Sequence, residues 1–160
     1  MASAVTNVII AGIGGQGVLK ASDILAEAAF RAGLDVKKSE LHGMSQRGGS
    51  VTSDVRFGRA VLSPMIPRGE ADYLVVLEGD QVEMNRAGLR PGGVLITPEA
   101  VNLDELPNKR ALNVALLGVL SAYLELDEAH WRAAIQANLP GKVLEVNLVA
   151  FQAGRSARRS

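Results

Sequence analysis

Residues Asn7-Val8-Ile9-Ile10-Ala11-Gly12-Ile13-Gly14-Gly15-Gln16-Gly17 decide the fold. The run 7–11 is short, apolar and unbroken, as a buried strand should be, and it ends directly in a glycine-rich loop. From 17 to 32 the period changes. Val18, Ala21, Leu25, Ala28, Ala29 and Ala32 fall on one stripe at helical spacing, while Lys20, Asp23, Glu27 and Arg31 fall on another. Glu27 and Arg31 stand i,i+4 for an ion pair, and Gly33 supplies a stop. The segment reads as strand, glycine turn and helix, with a second strand expected at 35–41.

The same reading sorts the rest of the chain. Val51, Ser53, Val55 and Phe57 alternate with Thr52, Asp54 and Arg56, which gives a strand with one face open or turned to a partner. Residues 73–77 are continuously apolar between Asp72 and Glu78, the pattern of a central strand. A short helix is expected at 81–87, and Pro91-Gly92-Gly93 turns the chain into a strand at 94–97. Residues 112–126 are apolar almost all round, interrupted by Asn113 and Ser121. Such a helix is either wrapped in the core or one side of an interface. Asp127 is a candidate N-cap for a helix at 128–138, which Pro140-Gly141 ends. The expectation is a single α/β domain at 1–154, Rossmann-like, with a mostly parallel sheet flanked by helices and a helical C-terminal third. Residues 155–160 are expected to form a basic tail, in which Arg155, Arg158 and Arg159 read as a solvated terminus more than as a binding arm.

Composition narrows the function. The 160 residues suffice for a real core. With 17 basic and 17 acidic residues, the chain has no broad field to attract nucleic acid or an anionic membrane. Cysteine is absent, so the chain offers no thiolate nucleophile and no cysteine ligands for zinc or an iron–sulfur cluster. The N-terminal apolar stretch lacks a basic flank and is too short for a signal peptide or membrane span, so the expected location is cytoplasmic.

Gly12, Gly14 and Gly17 satisfy G-x-G-x-x-G between a strand and a helix. Glycines let the backbone turn tightly and approach a phosphate, and the helix N-terminus offers free N–H donors. Glu40 stands about where a dinucleotide-binding fold places its ribose-binding acid. The alternative is a tight turn that binds nothing. Gly15 is an additional glycine within the loop, and the chain has no room for a separate substrate domain; both count against an ordinary NAD-dependent enzyme.

A second stretch is more particular: Glu40-Leu41-His42-Gly43-Met44-Ser45-Gln46-Arg47-Gly48-Gly49-Ser50. With the glycine loop ahead of it, it resembles the gamma subunit or domain of the 2-oxoacid:acceptor oxidoreductases. That family includes pyruvate, 2-ketoisovalerate, indolepyruvate and phenylglyoxylate oxidoreductases. Val55-Arg56, Ala71-Asp72, Glu78, Ala111-Leu112-Asn113, Leu117-Gly118, Asn147 and Ala150-Phe151 continue the resemblance along nearly the whole chain.

The resemblance implies a component of a multi-subunit enzyme that oxidatively decarboxylates a 2-oxoacid, transfers the acyl group to coenzyme A and passes electrons to ferredoxin or another acceptor. It implies alpha, beta and ferredoxin-like delta partner subunits, which carry thiamine diphosphate and [4Fe-4S] clusters. The residues agree: there is no cysteine, and Gly79-Asp80 is followed by Gln81, not by the glycine of a thiamine-diphosphate GDG motif. The chain departs from the family at 98–109, where members usually carry a longer connection. An edge element of the sheet is expected to be missing there.

Gly12, Gly14, Gly15, Gln16 and Gly17 are the candidate cofactor-binding residues, facing either the phosphates of coenzyme A or a partner's backbone. His42, Gly43, Met44, Ser45, Gln46, Arg47 and Gly48 form a candidate active-site or partner-facing loop. Within it Arg47 can fork onto a carboxylate or phosphate, or pair structurally with Glu40 or Glu78. His42 can titrate near neutral pH or serve as a backbone-bonded structural histidine. Ser45 and Gln46 can orient a ligand but supply no base, and Met44 suits an interface. His130 and Trp131 read as structural, and Asp23 with Glu27 as a solvated face. No catalytic residue or metal site is assigned. The competing functions are a stand-alone NAD(P)-binding protein and a purely structural assembly subunit.

Overall fold

The computed structural model describes residues 4–42 and 49–157. The opening apolar run becomes β1 (Val5–Ile13), and the helical stripe that follows becomes α1 (Val18–Arg31). Then come β2 (Asp35–His42), β3 (Ser50–Gly58), β4 (Ala71–Val76), the one-turn α2 (Val82–Asn85) and β5 (Leu89–Ile96). Three helices close the chain: α3 (Leu112–Ser121), α4 (Glu128–Asn138) and α5 (Gly141–Ala157). The α1 boundary follows from local chemistry. Gly33, at φ 89°, donates to the Phe30 carbonyl while Leu34 donates to Ala29, and Glu27 pairs with Arg31 at 2.7 Å.

The strands form one sheet in the order β2-β3-β1-β4-β5. β1, β4 and β5 run parallel, whereas β3 runs against both of its neighbours. The sheet is therefore mixed, with β3 alone opposing the common direction. This explains its sequence. Val51, Ser53, Val55 and Phe57 point into the core with α1, and Thr52, Asp54 and Arg56 point to the other face. There Asp54 accepts from the Ile66 amide, and Arg56 holds the Ser63 and Met65 carbonyls, fastening the loop after β3 across the sheet. Partial burial pushes the Asp54 carboxyl above the usual carboxylate range.

The main core joins Val8, Ile10 and Val55 of the sheet to Leu25, Leu117, Trp131 and Phe151 of the helices. Ala11, Leu74 and Val76 fill the opposite face, against Val82 and Leu89. Every residue of α3 except Leu112 is buried, so the helix is a wrapped core element. It ends at Ser121, earlier than the apolar run suggested. Its closest companion is α5.

Several boundaries shift for visible reasons. The helix expected at 81–87 is α2 flanked by single 3-10 turns at Gly79–Gln81 and Arg86–Gly88. β5 absorbs Pro91-Gly92-Gly93 as an irregularity between its Leu89 and Val94 pairings, which an edge strand tolerates. Asp127 occupies the N-cap of α4, but its backbone carbonyl, not its carboxylate, receives the bonds from His130 and Trp131. Arg155 does not belong to a frayed tail: it lies in α5, donates to Ser121 Oγ at 2.9 Å and pairs with Glu128 at 3.4 Å. Arg158 and Arg159 lie outside the described residues.

Candidate functional site

In an open α/β sheet, ligands bind beyond the carboxyl ends of adjacent strands whose connections leave in opposite directions. β1 and β4 are such a pair. The chain leaves β1 through α1 toward β2 and β3, and leaves β4 through α2 toward β5. A cleft of about 460 Å³ lies there. Gly15, Gln16 and Gly17 line it from the loop after β1, and Leu77 lines it from the end of β4. Lys109, Arg110, Leu112 and Asn113 line it from the start of α3.

The glycine loop is organised from within. Ile13 N–H donates to Gln16 Oε1 at 2.9 Å, and Gln16 Nε2 donates to Glu78 Oε1 at 2.8 Å. The Gln16 side chain therefore braces β1 against the end of β4. It also explains Gly12, whose added Cβ would lie 2.8 Å from Gln16 Oε1 and 2.9 Å from Val18. The Gly14 amide donates to the Gly49 carbonyl and the Gln16 amide to Ile13. Gly15 and Gly17 adopt φ 93° and 83°, a conformation that favours glycine, and their amides have no hydrogen-bond partner among the described residues.

Opposite them, Lys109 and Arg110 stand in a single 3-10 turn that runs straight into α3, with Arg110 N–H capped by Asn108 Oδ1. Neither cation has an ion-pair partner among the described residues. Two cations just before a helix N-terminus oppose the helix dipole, an arrangement that an anion in the cleft relieves. The sequence reading missed both, because it took 98–109 as a connection only. Their signal was local: adjacent cations followed at once by an apolar helix.

The two sequence motifs meet here. Ile13 pairs with Ser50 and Gly12 with Val51, and the Gly14–Gly49 bond joins the loops. His42 closes β2 opposite Val51, but its side chain, with Gly43, Met44, Ser45, Gln46, Arg47 and Gly48, lies outside the described residues. Glu40 does not serve as the acid of a dinucleotide site. β3 separates β2 from β1, and Glu40 accepts from Lys38, which also binds Asp23 on α1. Glu78 is held by Gln16. Among the described residues no cluster of His, Asp or Glu could hold a metal, and no helix is long and apolar enough to cross a membrane.

Comparison with known proteins agrees with this geometry. The sequence matches the pyruvate ferredoxin/flavodoxin oxidoreductase family over residues 7–109 and 99–157. It is 35% identical over 193 aligned residues to the indolepyruvate oxidoreductase subunit IorB of Thermococcus kodakarensis, covering 96% of both chains. It is 32% identical over 168 residues to the ketoisovalerate oxidoreductase subunit VorA of Methanothermobacter marburgensis, covering 91% of this chain and 35% of that one. The fold superposes with a TM-score of 0.83 on the gamma subunit of a keto/oxoacid ferredoxin oxidoreductase from Geobacter sulfurreducens, at 24% identity, covering 96% of this chain and 98% of that one. A 2-oxoglutarate:ferredoxin oxidoreductase from Magnetococcus marinus, with 2-oxoglutarate, coenzyme A and succinyl-CoA bound, superposes at 0.84 with 21% identity, over 97% of this chain and 31% of that one. The two family matches overlap at 99–109, within the short link at 98–109. There the structure has β5 at the sheet edge, followed by single 3-10 turns at Pro98–Ala100, Leu103–Glu105 and Lys109–Ala111. The chain belongs to the pyruvate ferredoxin/flavodoxin oxidoreductase family, as a subunit of the gamma type.

Proposed function

We propose that this chain is the gamma subunit of a multi-subunit 2-oxoacid:acceptor oxidoreductase, and that its cleft receives the phosphate portion of coenzyme A. The observation that carries the reading is the pairing, across one cleft, of two amides, Gly15 and Gly17, with two cations, Lys109 and Arg110, all four without a partner among the described residues. Donors of both kinds lining one open cleft suit a phosphate, and backbone N–H bonds to an anion are stronger than neutral ones. Thiamine diphosphate and [4Fe-4S] clusters fit partner subunits, because this chain lacks cysteine and a GDG motif. Bound there, they supply decarboxylation and electron transfer to ferredoxin or another acceptor. This chain's residues hold and orient the thioester-forming partner. An aryl 2-oxoacid such as indolepyruvate is the favoured substrate class, since two IorB chains align with this one over 96% and 92% of their lengths. Alpha, beta and ferredoxin-like subunits are the proposed partners.

The test is the assembled oxidoreductase carrying Lys109→Glu together with Arg110→Glu. Each lost charge-assisted bond is worth about 1.5–3 kcal/mol. Allowing for the exposure of both side chains, we expect KM for coenzyme A to rise about 10- to 100-fold, with KM for the 2-oxoacid unchanged. A complex that fails to assemble while its components bind coenzyme A normally would mean that the cleft is a purely structural contact.

A further inference from the structure

We infer that Asn113 is the positioning residue of this cleft: its side-chain amide holds Gly17 against the start of α3 and so sets the gap across which amides and cations grip one anion. The inference rests on the coenzyme A reading above. Asn113 is 8% exposed and uses both ends of its amide. Oδ1 accepts from Val114 N–H at 2.9 Å on its own helix, and Nδ2 donates to the Gly17 carbonyl at 3.1 Å, 96 residues away. The Gly17 carbonyl also receives the Ala21 amide, the first hydrogen bond of α1. One carbonyl therefore ties together the N-termini of α1 and α3, the two helices whose ends face the cleft.

The fit is close. A Cβ at Gly17 would lie 3.2 Å from Asn113 Cγ and closer still to Nδ2, so Asn113 occupies the space that any other residue at 17 would need. The wall bearing Lys109 and Arg110 is packed against α3 and α5 through Leu106 and Ala111, and Asn113 is its side-chain tie to the glycine loop. It reaches α3 through single 3-10 turns, the last two each capped by an asparagine (Asn102, Asn108) to its own turn. A phosphate is gripped well only when donors on both sides reach it together, so loss of this tie should weaken the ligand without touching the reacting groups.

The experiment uses the assembled oxidoreductase with Asn113→Ala and Asn113→Asp beside the Lys109→Glu, Arg110→Glu complex. Asp keeps the acceptor for Val114, suits the first turn of a helix and removes the donor to Gly17. Ala removes the donor with no added charge. We expect Ala to raise KM for coenzyme A about tenfold, and Asp at least as much. Saturated kcat and KM for the 2-oxoacid should stay within about twofold. If Asp raises KM and Ala does not, the effect is charge repulsion and the proposal fails. If neither moves KM while the double charge reversal does, the positioning role fails and the coenzyme A reading stands. If the charge reversal moves nothing, that reading falls and takes this one with it. A uniform loss across kcat and both KM values, or failure of both variants to assemble, would make Asn113 a folding residue and overturn the proposal.

Discussion

Replacing Gly154 by alanine is expected to destabilise the chain by about 3 kcal/mol, although alanine is the better helix former by about 1 kcal/mol. The opposing term is the crossing of α3 and α5. A Cβ at Gly154 would lie 2.8 Å from the Ala115 carbonyl carbon and 3.1 Å from Val119 N, and closer still to the Ala115 oxygen. Gly118 faces the same crossing from the other helix, where a Cβ would lie 2.8 Å from Arg155 N and 3.0 Å from the Phe151 carbonyl carbon. These neighbours are backbone, so no rotamer change relieves the clash and the helices must part. That separation would open the core around Phe151 and weaken the Arg155 bonds to Ser121 and Glu128. Thermal melting should show a fall of roughly 6–12 °C. Gly141→Ala is the control, since its Cβ would meet nothing within 4 Å. A Gly154→Ala chain melting at or above the parent would mean that the two helices are not so closely packed.

Trp131→Ala should cost about as much or more, about 4 kcal/mol. Trp131 is fully buried, with its ring 5.6 Å from Phe151, and it joins α4 to α5 and the sheet. Its removal leaves a cavity that Leu126, Ala134 and Ile135 of the same core cannot close without moving. Trp131→Phe separates volume from polarity. Nε1 is buried with no partner among the described residues, so phenylalanine sacrifices no hydrogen bond and should cost about 1–2 kcal/mol. Chemical denaturation of the two variants measures the difference. Equal losses for Ala and Phe would show that the indole N–H, not packing, is what matters.

Periodicity made some elements plain and left their arrangement hidden. β1 and β4 read as apolar runs because neighbours and both faces cover them, and β3 alternates because α1 covers only one of its faces. That alternation was also the trace of its reversed direction, since antiparallel strands tolerate an open face more readily than parallel ones. Strand order left no such trace: nothing local in Glu40 says that β3 separates it from β1. Gly118 and Gly154 look like costs in a helix until the partner backbone is in place. The glycine loop was legible as a tight turn, and the fold places it on a cleft. Which amides remain free was not legible, because Gln16 and Gly49 consume bonds that no motif records. Lys109, Arg110 and Asn113 join the site only through the fold, more than ninety residues along the chain from the loop they face.

Under the proposed function the glycine cleft is one edge of a composite site, and the chain is a working component only among its partners. The most direct test is to tag this chain in its native host, purify it gently, and assay both the purified assembly and the separated chain for 2-oxoacid- and coenzyme A-dependent reduction of an electron acceptor. The predicted result is a brown, cluster-containing assembly that is active, and a separated chain that is not. A tagged chain that purifies alone, stable and reducing NAD(P) by itself, would contradict the account.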